Sequence, residues 1–188
     1  MKKFILFLIV CFSLNTFAQG DITSVKNVNF YGVDFSCANL FGLSESPDAI
    51  KSGIEKINQL FITEKKKYDI SKYFKKDVIF YCLESTDKNN ENFSANKLSS
   101  RNEYIELDDS EIQKIINTLS CDSGGYGLVL IAENLNKSDK KATYLVVFFD
   151  ENTKEIIYSK RASGKPGGFG IRNYWAGSIY NLIKNWKY

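Results

Sequence analysis

The chain has no histidine, and that absence removes more chemistry than any residue present supplies. Ser-His-Asp and Cys-His catalysis, histidine metal sites and the usual general base near neutral pH all need an imidazole. Cysteine is scarce as well. Cys11, Cys37, Cys82 and Cys121 stand far apart, without the close spacing of zinc or thioredoxin-type sites. There is no apolar run of the ~20 residues a membrane-spanning helix needs, no internal repeat and no low-complexity tract. A strong charge excess is lacking too, since 25 Lys and Arg stand against 22 Asp and Glu. Lysines interleave with acids in residues 65–69 and 137–141, so a solvated surface is expected there, and nucleic acid is not expected as a partner.

What is present begins with an export signal. Lys2 and Lys3 precede an apolar run from Phe4 to Leu14, and polar Asn15 and Thr16 lead to Phe17 and Ala18. This is the three-part pattern of a signal peptide, with small side chains at Thr16 and Ala18 where the peptidase reads. Residues 1–18 are predicted to be removed and residues 19–188 to form one domain, exported to the periplasm or the extracellular space. Val10 is bulky where a lipoprotein signal needs a small residue before Cys11, so no lipid anchor is expected. No stable membrane span should remain after cleavage. N-terminal sequencing of exported protein should begin at Gln19; retention of Met1, or lipid on Cys11, would reject this reading. Three cysteines then remain. An odd number cannot all pair, and buried thiols are the expectation, although an oxidising compartment permits one bridge.

Residues 25–36 place Val28, Phe30, Val33 and Phe35 around Gly32, which predicts a strand with a bulge or a close approach. Residues 39–45 read as a connection. Ser46, Pro47 and Asp48 then supply an N-cap, a proline preset for the first turn and an acid at the positive helix end. Ile50, Ile54, Ile57 and Phe61 mark a buried helical stripe, with Lys51, Glu55, Asn58 and Lys65 facing water. A short helical piece is predicted in residues 68–76, and residues 77–83 have the composition and length of a buried strand. Residues 84–102 are polar enough to predict a long surface loop. Asp108 or Asp109 caps the next helix, with Glu111 in its first turn and Ile112, Ile115, Ile116 and Leu119 as its buried stripe. Residues 126–132, 143–150 and 155–160 form an antiparallel meander. Ile171, Trp175, Ile179, Leu182 and Trp186 lie on one face of a final helix. The fold class is α/β (α+β): a mixed sheet of about five strands, order β-α-β-α-β-β-β-α, with helices packed on it.

Two sets of residues could carry chemistry. Asp34, Glu84, Asp87, Asp108, Asp109 and Glu111 could furnish a carboxylate pair, although a polar strand end explains Asp34, loop solvation Glu84 and Asp87, and helix capping Asp108 and Asp109. The acidic trio lacks the ligand spacing of a calcium loop. The denser candidate is glycine-rich: Gly164, Lys165, Gly167, Gly168, Gly170, Arg172, Asn173 and Tyr174. Glycines let backbone amides crowd a ligand, and a helix start with two cations nearby favours an anion. The structural alternative is a tight strand-to-helix crossover. The segment lacks the Gly-Lys-Ser/Thr ending of a nucleotide-binding loop, and no cofactor or metal is expected.

The stretch GKPGGFGIRNYWAGSIYNLIK after a hairpin resembles the C-terminal signature of a family of exported bacterial proteins of unknown function. The element order also resembles the small α/β domain shared by TolB amino-terminal domains and by periplasmic assembly lipoproteins related to CsgG and the penicillin-binding-protein activator LpoB. The missing lipid-anchor cysteine departs from those lipoproteins. This second resemblance implies a binding role without catalysis. The resulting expectation is a non-catalytic periplasmic or cell-envelope protein that binds another protein or an envelope component. A carrier or sensor for a small anionic ligand at the glycine-rich loop is the alternative, followed by a histidine-free carboxylate hydrolase.

Overall fold

The computed structural model describes residues 22–95 and 104–188; the signal peptide predicted for residues 1–18 lies outside them. In chain order the elements are β1 (Asn27–Asp34), β2 (Asn39–Phe41), α1 (Pro47–Ile54), α2 (Leu60–Thr63), α3 (Ile70–Phe74) and β3 (Asp77–Tyr81). They continue with α4 (Leu83–Asn90), α5 (Asp109–Thr118), β4 (Tyr126–Asn136), β5 (Lys141–Asp150), β6 (Ile156–Gly164) and α6 (Gly170–Lys184). Among the described residues the six strands form one mixed sheet in the order β3-β1-β4-β5-β6, with β2 also paired to β4. β1 runs parallel to β3 and β4, whereas β4, β5 and β6 form the antiparallel meander.

Two apolar clusters show why helices cover both faces of this sheet. Leu128, Leu130 and Ala132 of β4 and Tyr144, Val146 and Phe148 of β5 join α1, α2, α3 and α6 in the larger cluster. The alternate residues Val129, Ile131, Leu145, Val147 and Phe149 join α5 in the other. With period-two side chains pointing both ways into apolar layers, the central strands read as unbroken hydrophobic runs. The helix starts follow their caps: Ser46 Oγ accepts from Ala49 N, and Asp108 and Glu111 exchange the two bonds of a capping box. Trp175 and Ile179 are fully buried beneath α6, as the stripe predicts.

Four readings change. The connection after β1 contains β2, which runs beside the far end of β4 in continuation of β1. Residues 77–83 do not form a buried strand, because among the described residues β3 pairs only with β1 and leaves Ile79 51% and Phe80 50% exposed. The polar stretch after it is not a plain loop: it begins with α4, whose Thr86 and Asn90 are buried and which is followed by buried Phe93 and Ala95. Its end, residues 96–102, lies outside the described residues. Asn58 does not face water; it is 2% exposed.

The last two changes share a cause. Gly32, at φ 81°, shifts the register of β1 against β4, and a Cβ there would come 2.7 Å from Asn58 Oδ1. Beyond this bulge β3 has ended, so the outward backbone groups of β1 need other partners. Asn58 accepts from Val33 N at 2.8 Å and donates to Val33 O, while Asn90 accepts from Phe35 N and donates to Val33 O. Thr86 Oγ1 donates to Tyr31 O. Three polar side chains thus stand in for a missing strand, which is why a helix without an apolar stripe packs here.

The expectation of buried thiols is also corrected. Cys82 and Cys121 form a disulfide, and Cys37 is the free cysteine among the described residues, half-buried.

Candidate functional site

The glycine-rich segment folds back on its own helix. Gly164 lies so close to α6 that a Cβ would meet Ser178 O at 1.9 Å, and a Cβ on Gly177 would meet Gly167 O at 2.1 Å. Gly167 N donates to Tyr174 O, and Asn181 Nδ2 donates to Lys165 O. Gly168 adopts φ 123°, open to glycine and strained for other residues. These contacts give the glycines a packing role at the β6-to-α6 crossover. Tyr174 packs edge-on against buried Trp175. Lys165, Arg172 and Asn173 remain exposed, and Arg172 Nε donates to Asn173 Oδ1. The segment therefore brings backbone to backbone and leaves its two cations at the surface. Phe169, at the apex, is 96% exposed.

Of the candidate carboxylates, Asp34, Asp87, Asp108 and Glu111 are each engaged in hydrogen bonds. Asp34 is buried and accepts from Ser36 N, Ser36 Oγ and Asn89 Nδ2. Asp87 accepts from Asn58 Nδ2; burial raises its carboxyl above the ordinary range, with the Asn58 bond opposing. Asp108 and Glu111 cap α5, and their first-turn neighbour Asp109 is exposed. Glu84 lines a surface groove. Among the described residues no three Cys, Asp or Glu gather in a group that could hold a metal ion.

That groove, of about 800 Å³, lies between the β3–α4 junction and the end of α5. Its walls are tied together three times: by the Cys82–Cys121 bridge, by Ser85 with Ser120, and by Asn89 Nδ2 donating to Thr118 Oγ1 at 2.7 Å. Glu84, Lys88 and Asp122 supply its charges. A smaller groove of about 270 Å³ shares Phe80 and Ser123 with it and extends past Ile79 to Tyr126. The two form one channel that runs from β3 past β1 to the start of β4, rimmed by the half-exposed apolar side chains of Ile79, Phe80 and Tyr126. Sequence reasoning missed this place because its signals were read separately: residues 77–83 as core, the cysteines as thiols and residues 84–102 as solvated loop. The pairing of Cys82 with Cys121 was the one signal that joins them.

Behind the smaller groove lies a buried polar knot. Asn29 Nδ2 donates to Glu151 and to Ser123 Oγ, and Tyr31 Oη donates to Glu151 Oε1 at 2.7 Å. Burial and that bond push the Tyr31 hydroxyl far above its usual range, so it stays a donor. The knot anchors the loop that carries Cys121.

No protein-family model matches this chain, and no curated protein does. Among solved structures, the LpoB C-terminal domain from Salmonella enterica is similar at 16% sequence identity, covering 77% of this chain and 87% of that one, with a TM-score of 0.32. No helix among the described residues is long and apolar enough to cross a membrane.

Proposed function

We propose that this chain is a non-catalytic cell-envelope protein that binds another protein, and that it takes an extended segment of that partner into the channel along β3. The observation that carries the reading is the tied groove beside an exposed sheet edge. A strand edge offers backbone hydrogen bonds to an incoming chain. Ser71 Oγ already takes the Val78 N–H, which leaves the Ile79 and Phe80 end for the partner. Glu84 and Asp122 outnumber Lys88 in the groove, so the fitting segment is apolar with a basic residue. The disulfide supports the exported setting, because such bonds persist in oxidising compartments.

A photo-crosslinking residue at Phe80 should capture a discrete envelope protein that the same residue at Ser110 does not. Phe80→Asp should lower recovery of that protein about tenfold or more, since a half-exposed aromatic at an interface centre is a typical anchor. Undiminished recovery by the folded variant rejects the groove.

A further inference from the structure

The small net charge conceals a division by face. Beyond Glu155 the chain carries no Asp or Glu, yet it carries Lys160, Arg161, Lys165, Arg172, Lys184 and Lys187. α6 lies in that stretch and packs with α1 and α3 over the larger core. The opposite helix, α5, begins with Asp108, Asp109 and Glu111.

On the basic side three ammonium groups from different segments meet on one aromatic floor. Lys67 Nζ stands 4.8 Å from the Tyr68 ring and 5.8 Å from the Tyr180 ring, and Lys184 Nζ stands 5.7 Å from the same Tyr180. Lys72 Nζ is 5.5 Å from Tyr73, whose ring lies 6.3 Å from Tyr180. The nearby acids are few: Glu64 pairs with Lys67 at 3.5 Å, and Asp69 caps α3. Burial raises the Tyr68 hydroxyl above its usual range, and the ammonium of Lys67 and, more weakly, the charge of Arg172 oppose that rise. At the start of the same helix, Phe169 projects between Gly168 and Gly170 with Lys165 and Arg172 beside it in sequence. Along an α-helix the 15 residues of α6 span about 22 Å. Lys67, Lys72, Lys165, Arg172 and Lys184 are therefore strung along a face and line none of the three grooves, whereas Arg161 lies on the other side of the sheet against Glu133.

We propose that this face seats the protein on an anionic bilayer surface. Lys67, Lys72, Lys184 and Arg172 meet lipid phosphates, and Phe169 enters the boundary between headgroups and acyl chains. A planar anionic surface satisfies a spread of cations and a projecting apolar tip together, whereas a small anion would need them gathered in a pocket. The seat is separate from the β3 channel, so either proposal can fail without the other.

The test is co-sedimentation of the exported protein with vesicles of phosphatidylcholine alone or mixed with phosphatidylglycerol. Binding should require phosphatidylglycerol and weaken as salt rises. Reversing three charges, Lys67→Glu, Lys72→Glu and Lys184→Glu, should lower vesicle affinity at least ~100-fold, and Phe169→Ser roughly tenfold. Lys165→Ala with Arg172→Ala should also weaken it, while Phe80→Asp should leave it unchanged. Phe169→Ser alters a side chain without packing, so its result stands even if the triple variant fails to fold. Three outcomes overturn the proposal: no sedimentation with anionic vesicles, full sedimentation by folded charge-reversed protein, or retention on a soluble acidic protein with none on vesicles.

Discussion

Replacing Cys82 by alanine and Cys121 by serine together should lower the free energy of unfolding by about 3–4 kcal/mol, the range expected for closing a loop of this size. The two cysteines are 39 residues apart in sequence, so the bridge removes considerable freedom from the unfolded chain. Little in the folded state replaces it. Ser85 with Ser120 and Asn89 with Thr118 span the same gap, but both pairs lie at the surface, where a hydrogen bond contributes only ~1 kcal/mol. For a protein of this length the loss corresponds to a melting temperature about 10 °C lower. Cys37→Ser is the control, since Cys37 is a half-buried thiol outside the bridge; it should change stability by less than about 1 kcal/mol. Thermal unfolding of both variants, with wild type in reducing and non-reducing buffer, decides the matter. A double variant as stable as wild type would show that the three-point tie is not what holds the groove walls. The same variant should lose partner capture at the Phe80 position by more than its folded fraction accounts for, because the walls would then move independently.

How the residues were legible depended on what buried them. Apolar side chains announced themselves: the stripe of α5, the runs of β4 and β5 and the face of α6 carrying Trp175 and Ile179 all follow from spacing. The caps at Ser46 and Asp108 were equally plain, because a short polar side chain before an apolar run has few other uses. Buried polar residues gave no such signal. Asn58 sits at a helical position that pattern assigns to solvent, yet the chain leaves regular helix after Ile54, and the turn presents Asn58 to the bulge at Gly32. Thr86 and Asn90 repeat the case on α4. The edge position of β3 could not be read from its composition either, since an edge strand and a central strand can share residues and differ only in neighbours. At the glycine-rich corner, the close approach of Gly164 to α6 is the crossover that sequence suggested as the structural alternative. Phe169, the most exposed side chain there, belongs to no spacing rule.

Arg161→Ala should cost about 2–3 kcal/mol of stability, discounted from the full value for a buried pair because Arg161 is partly exposed. Glu133 is 1% exposed on β4 and receives Arg161 Nε at 3.0 Å from β6. The same guanidinium donates through Nη2 to Leu107 O, and Leu107 N donates to Glu133 Oε1. One arginine therefore serves both the buried carboxylate and the segment that leads into α5. Removing it leaves a charge in the sheet with a single neutral donor, together with an unpaired carbonyl. The physical cause can be separated from lost packing by adding Glu133→Gln. Glutamine keeps an oxygen for Leu107 N and no longer needs a cation, so the double variant should recover about 1 kcal/mol or more of the loss. Chemical denaturation of the two single variants and the double one measures that coupling. If Arg161→Ala with Glu133→Gln is no more stable than Arg161→Ala alone, the stranded charge is not the source of the damage, and the methylene stem of Arg161 lying over the sheet is.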